Sequence, residues 1–437
     1  MNLDLKNIKK SDNLKKQVTV FSLKYMTAII LAIAMYTYVP FSFNGLNIPY
    51  LIGFVISVGV LTLRYKELDN RIIVYSFLIL LVMIFSIILN MKSIFLRDML
   101  FSIALYVYSI ICGLAIYITI KSWSRDLFSK TMMVFCLIIL VGSIVEIITP
   151  FKNITLAFTS LFPNPILNID ILRDIQIAGF YRPRFFTSET SHAVAGLLVF
   201  LCSWFITTKS QYRIIIYLFL LTLGFIIFRS PTIFLGIPLM FLSLLLLLTT
   251  NKSEKRKYTK ALSILFFVIS SFVILGVGLF ALDAVMAERS QVKIDQSYLV
   301  RIVAAADIIG KVIAERPLFG FGIGAHGDAK ELIIQSFVDS GIREESVFNN
   351  FDTKINSLLA SSILYLGLVG SLIYFVIMVL LANRASGVNG LILTGMIFVF
   401  GSVNGAMYSP KFYLYFFFLA AAIKIVSMKG KLHDNIN

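Results

Sequence analysis

The sequence predicts an all-α polytopic membrane protein with about twelve transmembrane helices and two long loops outside the bilayer. Hydrophobic residues make up 58% of the 437 residues, whereas only 14% are charged. An ordinary soluble domain has a higher charged fraction, about a quarter of its residues. The mean hydropathy of this chain is +0.89. Apolar stretches long enough to cross a hydrocarbon layer of roughly 30 Å recur along the whole chain.

Polar turns separate the apolar stretches, and each stretch is a predicted membrane span. The twelve spans cover residues 25–41, 48–63, 72–89, 99–120, 131–149, 193–207, 214–228, 232–250, 261–282, 355–381, 391–408 and 413–428. An even number of spans places both termini on one side of the membrane. The chain then divides into a tail (1–24), helices 1–5 (25–149), a first outer loop (150–192), helices 6–9 (193–282), a large outer loop (283–354), helices 10–12 (355–428) and a second tail (429–437).

Basic residues are concentrated on one face of this topology, in both tails and in the turns on the same side. The short loops of the opposite face hold only Lys92, Arg97, Arg229 and Lys411. Because positive residues are retained in the cytoplasm, both termini are predicted to be cytoplasmic. On the cytoplasmic face, basic residues outnumber acidic residues by 16, which equals the net charge of the whole chain. The charge therefore reflects topology, and no nucleic-acid partner is predicted.

The sequence carries no motif that requires a metal or a nucleotide. Cys112, Cys136 and Cys202 all lie in apolar runs, which favours packing over disulfide formation or metal binding. There is no Walker sequence and no His-x-x-x-His pair. We therefore predict no metal site and no cofactor.

The large outer loop contains two distinctive stretches. Residues 297–315 form a predicted amphipathic helix, whose apolar side holds Leu299, Ile302, Val303, Ala306, Ile309 and Ile313. The glycines Gly320, Gly322 and Gly324 follow it, and they would let backbone N–H groups approach an anion. The alternative is a turn that packs the loop on the membrane domain. A dinucleotide site is excluded because the run follows a helix and a proline rather than a strand.

Four arginines on the outer face are candidate ligands for an anion: Arg182, Arg184, Arg229 and Arg301. A guanidinium group suits phosphate oxygens, and each charged hydrogen bond contributes roughly 1.5–3 kcal/mol. The alternative for any single arginine is a lipid headgroup or an acidic partner.

Four outer residues could transfer protons: Glu189, His192, His326 and Asp352. Glu189 is the first choice as a base, because it lies at the edge of a low-dielectric region and close in sequence to two arginines. His326 is the second choice. The alternatives are a solvated acid favoured by a helix dipole for Glu189 and an ordinary surface histidine for His326.

At these residues the chain resembles the O-antigen polymerase and ligase superfamily of polytopic glycosyltransferases. Arg301, a helix and the run ERPLFGFGIG at 315–324 look like the family's arginine helix and its glycine run. Arg182 with Ser188-Glu189-Thr190-Ser191 is similar to the arginine and Glu-Pro-Ser signature of the polymerases, with Thr190 in place of proline. Asn356-Ser357 followed by YLGLVG at 365–370 resembles the helix after the large loop.

The resemblance implies an enzyme of the bacterial inner membrane that polymerises undecaprenyl diphosphate-linked oligosaccharide repeat units at the periplasmic face. It implies a reaction independent of metal and nucleotide, in which Arg301 and Arg182, with Arg184 and Arg229, hold the diphosphate. Gly320, Gly322, Gly324 and Asn356 would support the site. The expected partners are lipid-linked glycans, membrane lipids and a chain-length regulator protein.

Two alternatives are kept. One is an O-antigen ligase, which the chain fits less well because ligases typically carry His-Asn where this chain has Ile355-Asn356. The other is a polysaccharide-lipid transporter (flippase), which should carry ionisable residues at mid-membrane. In this sequence the ionisable residues crowd the outer edge instead.

Overall fold

The computed structural model of the protein describes residues 25–38, 40–43, 46–91, 93–159, 181–250, 303–341, 355, 357–388, 390–404 and 407–434. These residues fold almost entirely as α-helices, with one short hairpin between the first two. The helices are α1 (Tyr25–Thr37), α2 (Leu51–Arg64), α3 (Asn70–Leu89), α4 (Leu96–Lys121), α5 (Arg125–Ile148), α6 (Phe151–Thr159), α7 (Thr190–Thr207), α8 (Arg213–Phe228), α9 (Gly236–Thr250), α10 (Ala304–Glu315), α11 (Lys330–Asp339), α12 (Leu358–Ser386), α13 (Gly390–Asn404) and α14 (Pro410–Asp434).

Seven helical segments among the described residues are long and apolar enough to cross a membrane. They are Asn70–Leu89, Leu96–Lys121, Arg125–Ile148, Thr190–Thr207, Pro231–Thr249, Leu358–Ser386 and Pro410–Ser427. The predicted class, a helical membrane protein, is therefore confirmed. Helices overlap eleven of the twelve predicted ranges, and the range 261–282 lies outside the described residues. The count of twelve spans and their sidedness remain predictions.

The boundary between the first two predicted spans was wrong. The sequence predicts helix up to residue 41 and again from residue 48, but the structure has an antiparallel hairpin, β1 (Pro40–Phe43) with β2 (Leu46–Pro49). Phe43 pairs with Leu46, so only Asn44 and Gly45 lie between the strands. Asn-Gly is the dipeptide that favours two-residue hairpins, and a proline at each end of the hairpin opposes helix.

Helix α10 confirms a helix in the large loop, but the predicted apolar side was wrong in part. Its buried residues are Ala304, Ala305, Ile308 and Val312. Two positions assigned to the apolar side, Ala306 and Ile313, are exposed. Both sets recur at intervals of three or four residues, so the helical period alone cannot choose between them. The choice is made by packing against α12.

Helices α4 and α14 pack closely at the centre of the bundle. Gly113 of α4 leaves room for the ring of Phe417, and a Cβ atom at Gly113 would overlap that ring. The Tyr117 hydroxyl donates to the carbonyl of Ala385 at 2.8 Å and so links α4 to α12. We call the end of the bundle at which α5 ends (Ile148) and α7 begins (Thr190) the loop end. Helix α14 also begins there, because Lys411 lies near Glu189.

Candidate functional site

Residues 181–189, which we call the arginine turn, are fixed to the loop end by the carboxylate of Glu146. This side chain, on the last turn of α5, is fully buried. Its Oε1 atom accepts hydrogen bonds from the hydroxyls of Thr155 (2.9 Å) and Tyr181 (2.6 Å) and from the N–H of Arg184 (3.2 Å). Its Oε2 atom accepts from the N–H of Phe185 at 2.8 Å. A buried carboxylate with four donors is well satisfied, so Glu146 anchors the turn.

The backbone of the arginine turn reverses through two residues in the left-handed region. Phe185 has φ 38° and Phe186 has φ 61°. Bulky residues rarely adopt this conformation, so tertiary contacts must hold it. The Tyr36 hydroxyl donates to the carbonyl of Phe185 at 3.0 Å, and the Phe185 ring lies against Gly142. The bend places the two arginines next to the start of α7.

Burial raises the pKa of Tyr181, and the charge of Glu146 raises it further. The phenol therefore stays protonated over the physiological range and keeps donating to the carboxylate. Tyr181 and Glu146 thus form an anchor whose hydrogen bond does not change near neutral pH.

The structure brings three of the predicted site residues together in the arginine turn. Arg184 is almost completely buried, its Nη1 atom donates to the carbonyl of Ser188 at 3.2 Å, and its Nε atom has no hydrogen-bond partner among the described residues. Arg182 is half-buried, and its carbonyl lies 3.5 Å from the hydroxyl of Thr190. Glu189 is exposed and occupies the N-cap position of α7, where its side chain makes no capping hydrogen bond. Two cations and one acid therefore share one turn.

Lys411 joins this group, although the sequence marked it only as a basic residue of a short loop. Its side chain is 4% exposed, and its Nζ atom has no hydrogen-bond partner among the described residues. The Nζ atom lies 5.5 Å from the centre of the Tyr38 ring. Glu189 is close enough to interact electrostatically with the ammonium group. The sequence signal for Lys411 was a lone charge just before the predicted span 413–428.

His326 lies in a second cluster, with two tyrosines. The Tyr365 hydroxyl is 2.7 Å from its Nδ1 atom, and the Tyr408 hydroxyl is 2.9 Å from its Nε2 atom. A neutral imidazole between two phenols donates through one nitrogen and accepts through the other. Both nitrogens are therefore engaged, and the ring could act as a base only after one of these contacts breaks. Tyr408 lies three residues before Lys411, which connects the two clusters along the chain.

The glycine run forms a turn that packs on the membrane domain. Gly320, Gly322 and Gly324 have φ values of 60°, 91° and 75°, which favour glycine. The N–H groups of Phe321 and Gly322 donate to the carbonyls of Leu364 (2.9 Å) and Tyr365 (3.0 Å), respectively. These donors are used within the protein and do not face an anion. The structure thus supports the packing alternative for this run.

A break in helix α12 explains why the turn formed by the glycine run is needed. Gly367 interrupts it with φ 66° and ψ −170°, which breaks the helical hydrogen-bond ladder. The N–H groups freed by the break, on Leu368 and Val369, donate to the carbonyls of Pro317 (2.7 Å) and Leu318 (3.2 Å), respectively. Non-helical backbone at membrane depth is tolerated only when protein or water satisfies its polar groups. The turn at 317–322 supplies those partners.

The remaining predicted site residues lie elsewhere. Arg301 and Asn356 lie outside the described residues, so their roles remain predictions. Arg229 ends α8 with φ 42° and has an exposed side chain. Its part in anion binding also remains a prediction. Among the described residues, no group of three or more His, Cys, Asp or Glu residues could hold a metal ion.

The loop end is electrostatically suited to an anion. Two arginines and a lysine lie there with the carboxylates of Glu146 and Glu189, and α7 and α14 both begin there. The N-terminus of a helix carries a partial positive charge, so both helices add positive potential, which the negative C-terminus of α5 offsets in part. Comparison of the chain with protein-family models, with curated proteins and with solved structures gives no match. The family resemblance therefore remains a prediction from the motifs.

Proposed function

We propose that this chain is a membrane glycosyltransferase that polymerises undecaprenyl diphosphate-linked oligosaccharide repeat units into O-antigen or a related surface polysaccharide. The reaction would take place at the periplasmic face of the bacterial inner membrane, with both termini in the cytoplasm. The observation that carries the proposal is the gathering of Arg182, Arg184 and Glu189 in one turn at the start of α7. Such a turn offers cations to a leaving diphosphate and a carboxylate to the attacking hydroxyl.

The reaction requires few groups from the protein. A sugar hydroxyl of the new unit attacks the anomeric carbon of the growing glycan, the bond from that carbon to the diphosphate oxygen breaks, and the diphosphate leaves with the electron pair. The hydroxyl proton passes to a base. Positive groups fixed beforehand around the leaving oxygens stabilise the developing charge. In this proposal Arg182 and Arg184 do so together with Arg301, and Arg229 contributes from the end of α8.

Glu189 is the preferred base. Its carboxylate is exposed and lies next to the arginines, whereas both ring nitrogens of His326 contact tyrosine hydroxyls. A base must reach the proton that it removes, and an exposed carboxylate needs no prior rearrangement to do so. His326 remains the second choice, with Tyr365 and Tyr408 as a path for the proton.

The distribution of buried charge favours an enzyme over a transporter. Among the described residues, the buried ionisable side chains are Glu146, Arg184 and Lys411, leaving cysteine and tyrosine aside. Glu146 is on the last turn of α5, Arg184 precedes α7 and Lys411 is on the first turn of α14. A transporter that carries an anionic lipid across the membrane would place such groups near mid-membrane.

The test is polymer synthesis by purified protein in detergent, supplied with lipid-linked repeat units from the bacterium that carries the gene. We expect a ladder of products on a gel without added nucleotide or metal. Arg182→Ala and Arg301→Ala should shorten or abolish the ladder, whereas Arg71→Ala, an exposed arginine at the opposite end of the bundle, should leave it unchanged. A missing ladder for the wild-type protein contradicts the proposal. A product that forms only when a lipid core acceptor is added would identify a ligase.

The choice of base is tested with Glu189→Gln and His326→Phe in the same assay, at equal amounts of folded protein. We expect Glu189→Gln to lower the rate by about 100-fold or more, because general base catalysis contributes roughly 10²–10⁴-fold. His326→Phe should lower it less. The reverse order would transfer the role of base to His326.

A further inference from the structure

Lys411 is a buried lysine whose amine donates no hydrogen bond within the described part of the chain. The side chain is 4% exposed, yet the Nζ atom, which can donate three hydrogen bonds, donates none to the described residues. The Nζ atom lies 5.5 Å from the centre of the Tyr38 ring, and Glu189 is close enough to interact with it electrostatically. Burying a lysine amine without a hydrogen-bonded partner is unfavourable whether the group keeps its proton or loses it, so a purely structural role does not explain why this side chain is buried here.

A second cation of the loop end, Arg184, is only partly paired: its Nη1 atom donates to the carbonyl of Ser188. Arg184 is 3% exposed, and its Nε atom has no hydrogen-bond partner among the described residues. The end of α1 contacts both neighbourhoods, because the Tyr36 hydroxyl donates to Phe185 and the Tyr38 ring lies against Lys411. Lys411 is also on the first turn of α14, the end at which the helix dipole is positive. The side-chain nitrogens of Lys411 and Arg184 that are unpaired among the described residues therefore lie at the loop end, together with the positive start of α14.

We infer that Lys411 binds a phosphate group of the lipid diphosphate, in a site that it forms with Arg184 and the first turn of α14. This inference rests on the proposed function and adds a residue that its arginines did not include. A phosphate group offers acceptors that can satisfy an ammonium and a guanidinium together. The lipid is favoured over a free anion because Lys411 opens the apolar span Pro410–Ser427 and packs among aromatic rings.

Binding is measured as the shift in melting temperature of the purified protein on addition of farnesyl diphosphate, with farnesol and inorganic pyrophosphate as separate arms. The variant is Lys411→Met, which keeps the length of the side chain and removes the charge. The control is Lys209→Met, an exposed lysine that pairs with Asp126 at the other end of α7. We expect farnesyl diphosphate to stabilise the wild-type and control proteins, and pyrophosphate to stabilise them less.

Two changes are expected together in Lys411→Met. Without ligand, its melting temperature should rise by about 2 °C or more, because an unpaired buried amine has been replaced by an apolar group. Its dissociation constant for farnesyl diphosphate should rise about ten-fold or more, because a charged hydrogen bond has been lost. Farnesol should act equally on wild type and variant.

Three results would overturn the inference. A lower melting temperature of Lys411→Met without ligand would assign Lys411 to a structural pairing. An unchanged dissociation constant would remove it from the site, and equal stabilisation by pyrophosphate and farnesyl diphosphate would reject the lipid assignment. The binding assay needs no polymer synthesis. If the wild-type protein makes no polymer but binds the diphosphate through Lys411, the site stands and the proposed reaction fails.

Discussion

The arginine turn and the glycine run are both candidate anion sites in the sequence, but their polar groups are bonded differently in the structure. In the glycine run, the N–H groups of Phe321 and Gly322 are taken up by carbonyls of α12. At the arginine turn, the backbone is held by Glu146, while the Nε atom of Arg184 and the nearby Nζ atom of Lys411 have no hydrogen-bond partner among the described residues.

This difference distinguishes a turn that supports the fold from a site that binds a ligand. A buried polar group must be satisfied, either by the protein itself or by something that binds to it. The glycine run is satisfied internally and stabilises the break in α12. The loop end has a satisfied anchor, whereas the Nε atom of Arg184 and the Nζ atom of Lys411 are unpaired among the described residues, which is the arrangement expected where a ligand completes the structure. Substitutions in the two regions should therefore differ in kind: loss of fold in one, loss of binding or activity in the other.

The largest loss of stability is expected for Gly320→Ala. A Cβ atom at this position would overlap the carbonyl oxygen of Leu364 and the backbone nitrogen of Gly367, and the backbone has φ 60°. Backbone neighbours cannot move as a flexible side chain does, and the conformation is strained for alanine as well. We expect a loss of about 3 kcal/mol or more in the free energy of unfolding. Thermal unfolding in detergent and the yield of folded protein measure it.

The matched control is Gly310→Ala in α10, where a Cβ atom would meet nothing within 4 Å. Alanine is favoured over glycine inside a helix by roughly 0.5–1 kcal/mol, so this variant should be neutral or slightly more stable. If Gly320→Ala unfolds at the same temperature as the wild type, the turn does not support α12. The structural role assigned to the glycine run would then be wrong.

Glu146→Gln should give the next largest effect. The amide keeps the size of the carboxylate, but it replaces one acceptor oxygen with an N–H₂ group among four donors. At least one donor then loses its partner inside the protein, which costs about 1–3 kcal/mol. We expect a moderate loss of thermal stability together with a loss of anion binding, because the arginine turn is no longer held in place.

The control for this substitution is Glu331→Gln, an exposed acid on the first turn of α11. It should change neither property. Normal diphosphate binding by Glu146→Gln would show that the arginine turn keeps its conformation without its anchor. The sequence did not predict the pairing of Glu146 with the arginine turn, since Tyr181 and Phe185 lie 35 and 39 residues from Glu146.

The features predicted from sequence are those determined by local pattern. Long apolar runs located the helices because a bilayer requires a helix wherever such a run crosses it. The hairpin after α1 was missed, although Asn44-Gly45 between two apolar segments was a readable signal. Lys411 could not be assigned to the site because its neighbours Glu189 and Tyr38 are far away in sequence. The pairing of the glycine run with α12 was likewise hidden, since a glycine run is compatible with either role.

The smallest effect is expected at the exposed ion pair between α10 and α11, which serves as a solvated reference for the two buried regions. Lys311 lies 2.8 Å from Asp307 and 2.6 Å from Asp339. Hydrogen bonds from Lys311 and then Gln335 lower the pKa of Asp339. Partial desolvation lowers the pKa of Lys311, but its hydrogen bonds to Asp307 and Asp339 outweigh this and raise it.

These pKa shifts determine the pH range over which the ion pair contributes. A lowered carboxyl pKa gives stability that is complete above the unfolded value of about 3.9 and is lost as the pH falls through the folded value. A raised lysine pKa gives stability that is complete below about 10.4 and is lost as the pH rises through the folded value. The difference in melting temperature between Asp339→Asn and wild type should therefore be small and constant from pH 5 to pH 9. It should shrink with added salt, because exposed pairs are screened. A difference that resists salt, as we expect for Glu146→Gln, would place this pair with the buried anchors.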